Sequence, residues 1–264
     1  MKLFAHELRK ATTTPGLFVI LGLLVLLCAG MPALSSLNIL GSGGPVEDVA
    51  RDYLFSFAGR SAYFAPFLLG ALIVTSDFAH STIWMSVLWF KTRLGIIAAK
   101  VITASLLSAG FGLVAVAVSF TFIHVGYQSN GLDSPVLSEP IILMGLRTIL
   151  AFILWGALGV GLGFLLRSQV AAVLVIFGIA LFVEPVLTSL SNENEAFATI
   201  GKFLPGAANW SIVWPVDMSG DTNAMGGLGG AALELPAAII TLTAYAAVTC
   251  VVGYLAGLRY RESR

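Results

Sequence analysis

Charge is what this sequence has least of. Only 11% of its 264 residues are Asp, Glu, Lys or Arg, where a soluble domain carries about 25%. With fewer than half the usual ions the chain cannot coat a water-facing surface, which excludes an ordinary soluble globular protein. Cysteine is nearly absent: Cys28 and Cys250 both fall inside apolar runs, so neither a disulfide framework nor a thiolate metal site is indicated. The three histidines, His6, His80 and His124, lie on different elements, and no H-E-x-x-H or C-x-x-C occurs. A phosphate loop is missing too, since the one Gly-Lys pair, Gly201-Lys202, is followed by Phe203. An intramembrane serine protease needs a Ser in a Gly-flanked loop and a His on a neighbouring span, which Ser219-Gly220 and His124 do not supply.

Hydrophobic residues are plentiful, at 58% with a mean hydropathy of +0.93. That balance points to a polytopic, all-α integral membrane protein forming one domain over residues 1–264. The first 13 residues read as an amphipathic surface helix, with Leu3, Phe4 and Leu8 on one face and Lys2, Glu7, Arg9 and Lys10 largely on the other. A basic start before an apolar run also fits a signal peptide, but Val25-Leu26-Leu27 before Cys28 is too bulky for lipoprotein cleavage. Six spans follow, at Leu17–Leu34, Phe55–Thr75, Val101–Ile123, Ile141–Leu166, Val170 to about Leu190, and Leu235–Leu258.

An even number of spans places both termini on one side. With that side cytoplasmic, it collects Lys2, Arg9, Lys10, Lys91, Arg93, Lys100, Arg167, Arg259, Arg261 and Arg264, ten of the fourteen cations. Most acids, from Glu47 to Glu234, fall on the other. The segment 191–234 is too long for a plain connector, and its apolar part, Phe203–Val216 with Trp210 and Trp214, is expected to re-enter the outer leaflet.

Between the second and third spans, Asp77–Lys100 interrupts the hydrophobic pattern. Asp77, His80, Lys91, Arg93 and Lys100 bracket an aromatic stretch that includes Trp84, Trp89 and Phe90. Such a stretch is too short and too flanked by charge to span, and reads as a helix at the cytoplasmic surface with large anchors for a partner. Two charges lie at membrane depth. Arg147 sits about two turns into the fourth span, and Glu184 precedes Pro185 in the fifth. Each is either a functional intramembrane group or an interfacial residue, and a mutual pair between them is one arrangement to look for. Gly156, Gly159, Gly161, Gly163, Gly253 and Gly257 form small-residue rows, suited either to internal packing or to a dimer interface.

Around Asp77–Lys100 the sequence resembles the ABC type-2 exporter permeases, the membrane subunits of bacterial ATP-binding-cassette efflux systems. Asp77-Phe78, Ser81-Thr82-Ile83, Phe90-Lys91-Thr92-Arg93 and Ala98-Ala99-Lys100 follow that family's pattern at its spacing. Asp77 stands for the usual Glu, Ser81 for Gly and Phe90 for Pro. Phe203-Leu204-Pro205-Gly206-Ala207 is similar to the family's Leu-Pro-x-x-Ala element before the last span.

The resemblance implies a permease with no catalysis of its own, pairing with a second permease chain as a homo- or heterodimer in the bacterial cytoplasmic membrane. Each permease would dock a separate ATPase subunit, which binds ATP and Mg; this chain would hold no cofactor or metal and no nucleic acid. Residues 77–94 would be the coupling helix, with Asp77, Phe78, Thr82, Trp84, Trp89, Arg93 and Lys100 as coupling residues. The competing readings are an ion-driven secondary transporter working through Glu184 and Arg147, and an intramembrane enzyme.

Overall fold

The computed structural model describes residues 2–41, 48–80, 93–191, 195–214 and 233–255. All regular structure among them is helical: α1 (Lys2–Thr13), α2 (Pro15–Leu40), α3 (Asp48–Phe55), α4 (Phe57–Ser61), α5 (Phe64–Ala79), α6 (Arg93–Ser129), α7 (Glu139–Leu166) and α8 (Gln169–Gly178). A π turn (Ile179–Val183) leads into α9 (Glu184–Ser191), followed by α10 (Glu195–Gly201), α11 (Pro205–Val213) and α12 (Leu235–Tyr254). Among the described residues, five stretches are long and apolar enough to cross a membrane: Pro15–Leu40, Leu94–Ser129, Glu139–Leu166, Gln169–Leu187 and Leu235–Gly253. The chain is an all-α, multi-pass membrane protein.

The second expected span departs from the rest. The sequence predicts one helix over Phe55–Thr75, but the chain breaks into α3, α4 and the 16-residue α5. Pro66 explains the second break. Its ring has no N–H for the Ala62 carbonyl and would clash with it, so Pro66 is tolerated only in a helix's first turn, and α5 starts two residues before it. The third span runs longer than Val101–Ile123, because α6 is continuous for 37 residues, from Arg93 to Ser129. That is about 55 Å, well beyond the roughly 30 Å hydrocarbon layer.

Local chemistry sets the other ends. Pro15 opens α2 after an extended Thr14, a position where its missing N–H costs nothing. Arg167 ends α7 in the left-handed region, φ 54°, with its N–H on the Gly163 carbonyl at 2.9 Å. Ser168 then caps α8, its hydroxyl accepting from the Ala171 N–H at 3.4 Å. Two residues thus reverse the chain between α7 and α8.

The short α5 is buried in the bundle, with Phe67, Leu69, Ala71 and Val74 almost wholly inaccessible. It packs on α7 backbone to backbone. A β-carbon at Gly70 would overlap the Gly156 carbonyl, and one at Gly159 the Phe67 carbonyl. On the other flank of α7, Gly161 meets Thr249 and Cys250 of α12, and Gly253 meets Phe164. The glycine rows therefore serve packing within the chain at these positions; Gly257 lies outside the described residues. Close approach of this kind is what holds helices together in lipid, where hydrophobic expulsion is absent.

Candidate functional site

The bundle end that carries α1 gathers the charges that flank the interrupted segment. Lys100 is fully buried on α6. Its ammonium donates to Glu7 Oε2 at 2.8 Å, to Asp77 Oδ2 at 2.6 Å and to the Ile73 carbonyl at 3.1 Å. Those three bonds use all three of its donors. Asp77 is equally buried, and its other oxygen pairs with Lys10 of α1. The buried Glu7, Asp77 and Lys100 and the half-buried Lys10 form a formally neutral quartet that ties α1, α5 and α6 together. Neutrality is what makes it tolerable, since an uncompensated ion at such a place is costly. Burial and the neighbouring Lys100 pull Lys10 below the ordinary lysine range, with Glu7 opposing.

This arrangement corrects one expectation. Glu7 does not sit on the solvent face of α1; it lies 2% exposed in the buried stripe with Ala11, while His6 and Arg9 face outward. Asp77 and Lys100, coupling residues by the resemblance, point into the bundle and bond each other. Phe78 is likewise turned inward, edge-on to Phe164 at 6.3 Å, with the Arg167 guanidinium 5.9 Å from its ring centre. Thr82, Trp84 and Trp89 lie outside the described residues. Arg93 is the first residue of α6, but the position of its side chain is not described.

The opposite end is built around α11, whose residues Pro205–Asn209, Ile212 and Val213 are all buried. The Glu184 carboxylate accepts the Gly206 N–H at 2.7 Å, an anion placed on the free donors of a helix start. A β-carbon at Gly206 would displace that carboxylate. Asn209 accepts from the Trp155 indole N–H at 2.9 Å and donates to the Gly59 carbonyl at 3.0 Å, so one side chain joins α11, α7 and α4. The Tyr245 hydroxyl of α12 donates to the Phe203 carbonyl at 3.1 Å. The Arg147–Glu184 pair, one of the arrangements open in the sequence, does not form. Glu184 is engaged by α11, and the buried Arg147 Nε has no acceptor among the described residues.

Sequence reasoning missed Glu7, Asn209 and the role of Glu184. The one signal for Asn209 was its position, a lone amide in an otherwise apolar stretch after Leu204-Pro205. Compared with known proteins, the chain matches no family model and no curated protein.

Proposed function

We propose that this chain is the membrane-spanning permease subunit of an ATP-driven exporter, working as a dimer with separate ATPase subunits docked on its cytoplasmic side. The observation that supports this best is the Asp77–Lys100 bond, 2.6 Å long, at the root of residues 81–92. A segment fixed at its base to two helices at once passes a push to both of them, which is what a docking element must do. Glu7 and Lys10 extend the same root to α1. Asp77, Phe78 and Lys100 then hold the root, and contact with the ATPase falls to Thr82, Trp84, Trp89 and Arg93.

Counting α5, lengthened by α3 and α4, as the second of six spans places both termini and ten of the fourteen cations on the cytoplasmic side. The buried α11 then lies at the outer end, inside the bundle, as a re-entrant element. An ion-driven transporter using Glu184 and Arg147 is less favoured by the geometry, because Glu184 is occupied in holding α11.

Co-purification of the tagged chain with a candidate ATPase and measurement of permease-stimulated ATP hydrolysis test the proposal. Arg93→Glu is expected to abolish the stimulation while the chain remains in the membrane. Full stimulation in that variant, or cargo movement by the purified chain alone, would overturn it.

A further inference from the structure

At the end of the bundle opposite the quartet, Gly59, Thr148 and Val213 meet, the Thr148 hydroxyl and Val213 methyls filling the space a β-carbon would take at Gly59. The chain neighbour of each is Arg60, Arg147 or Trp214. Trp214 is 6% exposed, and its indole N–H has no acceptor among the described residues; the buried Arg147 Nε has none either. No carboxylate pairs with Arg60 among the described residues. The nearest acids in sequence, Asp48 and Asp52, are both bonded to Arg51, at 2.7 and 2.9 Å.

Aromatic rings hold Arg60 in place. Its guanidinium carbon lies 3.7 Å from the Tyr53 ring centre, 5.2 Å from that of Trp210 and 5.7 Å from that of Phe57. Trp214 backs this box, 5.7 Å from Trp210 and 6.5 Å from Tyr53. Rings stacked on a guanidinium occupy its faces and leave its edge donors; one of these bonds the Tyr53 side chain, and the planar fork of the others suits a phosphate. A partly buried cation without a counter-charge is stabilised by an anion. The depth is suitable: Gly59, the neighbour of Arg60, lies against Thr148, nine residues into α7 or about 14 Å along its axis, within reach of a headgroup by snorkelling.

We propose that Arg60, in its aromatic box with Trp214 behind it, forms a phosphate-binding site, taking the phosphodiester of a phospholipid headgroup or the phosphate of a soluble solute. The site requires the chain to lie in a bilayer but does not depend on the exporter reading.

Native mass spectrometry of the full chain in detergent, titrated with phosphatidylglycerol and with diacylglycerol of the same tails, tests it. The wild type is expected to prefer phosphatidylglycerol at least tenfold, and Arg60→Gln to lose that preference. Arg60→Lys, which keeps the charge but not the fork, should fall between them. Trp214→Phe, which keeps a ring but removes the N–H, should weaken binding about threefold, and it decides the matter if Arg60→Gln fails to fold. Displacement of the lipid by glycerol 3-phosphate would assign the site to a soluble phosphate, and retention of the lipid to the headgroup. Equal binding of the two lipids, or an unchanged preference in Arg60→Gln, would overturn the proposal. Tenfold tighter binding in an Asp217→Asn, Asp221→Asn variant would also overturn it, by giving the guanidinium to a carboxylate of the chain itself.

Discussion

Asp77 and Lys100 stand 23 residues apart in the chain and 2.6 Å apart in space. They are the outermost charged residues of the stretch that separates two apolar runs, and both are removed from solvent. The charge that makes this stretch conspicuous in the sequence is thus spent partly within the protein, on holding α5 against α6.

Replacing Lys100 by Met leaves two buried carboxylates, Glu7 and Asp77, without their shared donor. The expected loss is about 3–5 kcal/mol, the cost of breaking a buried ion pair from one side. Thermal unfolding in detergent checks it. Adding Glu7→Gln and Asp77→Asn should recover much of the loss, so a triple variant no more stable than Lys100→Met would show that the carboxylates are not the cause.

Glu184→Ala removes the anion from the start of α11. About 1.5–3 kcal/mol is expected to be lost, as for a hydrogen bond to a charged group. Glu184→Gln keeps an acceptor for the Gly206 N–H and should retain at least half of that stability. If an ion-binding carboxylate were required instead, Gln would stop transport as completely as Ala, and a transport assay on the two variants separates the cases.

Asn209→Leu strands the Trp155 indole N–H and the Gly59 carbonyl, each now bonded to Asn209. Two unsatisfied buried groups should cost about 1–3 kcal/mol each. A red-edge shift of Trp155 fluorescence, relative to a Trp155→Phe background, would report the lost bond.

Alanine at Gly159 drives a methyl group into the Phe67 carbonyl, whereas alanine at Gly22 or Gly30 meets nothing within 4 Å. Gly159→Ala is expected to lower the melting temperature, and Gly22→Ala to leave it unchanged or raise it, since Ala is favoured over Gly in a helix by about 1 kcal/mol. Melting curves of the three variants decide it.

Much of the bundle was legible because long apolar runs can only be helices in lipid. The ends of the fourth span, read as Ile141–Leu166, lie within two residues of α7. What escaped depended on distant partners. Glu7 reads as a surface charge until Lys100, 93 residues later, is placed beside it. Likewise Glu184 reads as an intramembrane acid until α11 presents the Gly206 N–H to it. Pro66 is a local signal for the break after α4, masked by the hydrophobicity around it.

The unbroken course of α6 has a mechanical meaning. Over its 37 residues it carries no proline and stays helical even through Ser108, Gly110 and Gly112, the residues of a kind where a helix bends most readily. A tilt imposed near Arg93 would therefore reappear beside Tyr127, at the far side of the bilayer, as in a rigid beam that swings as one piece.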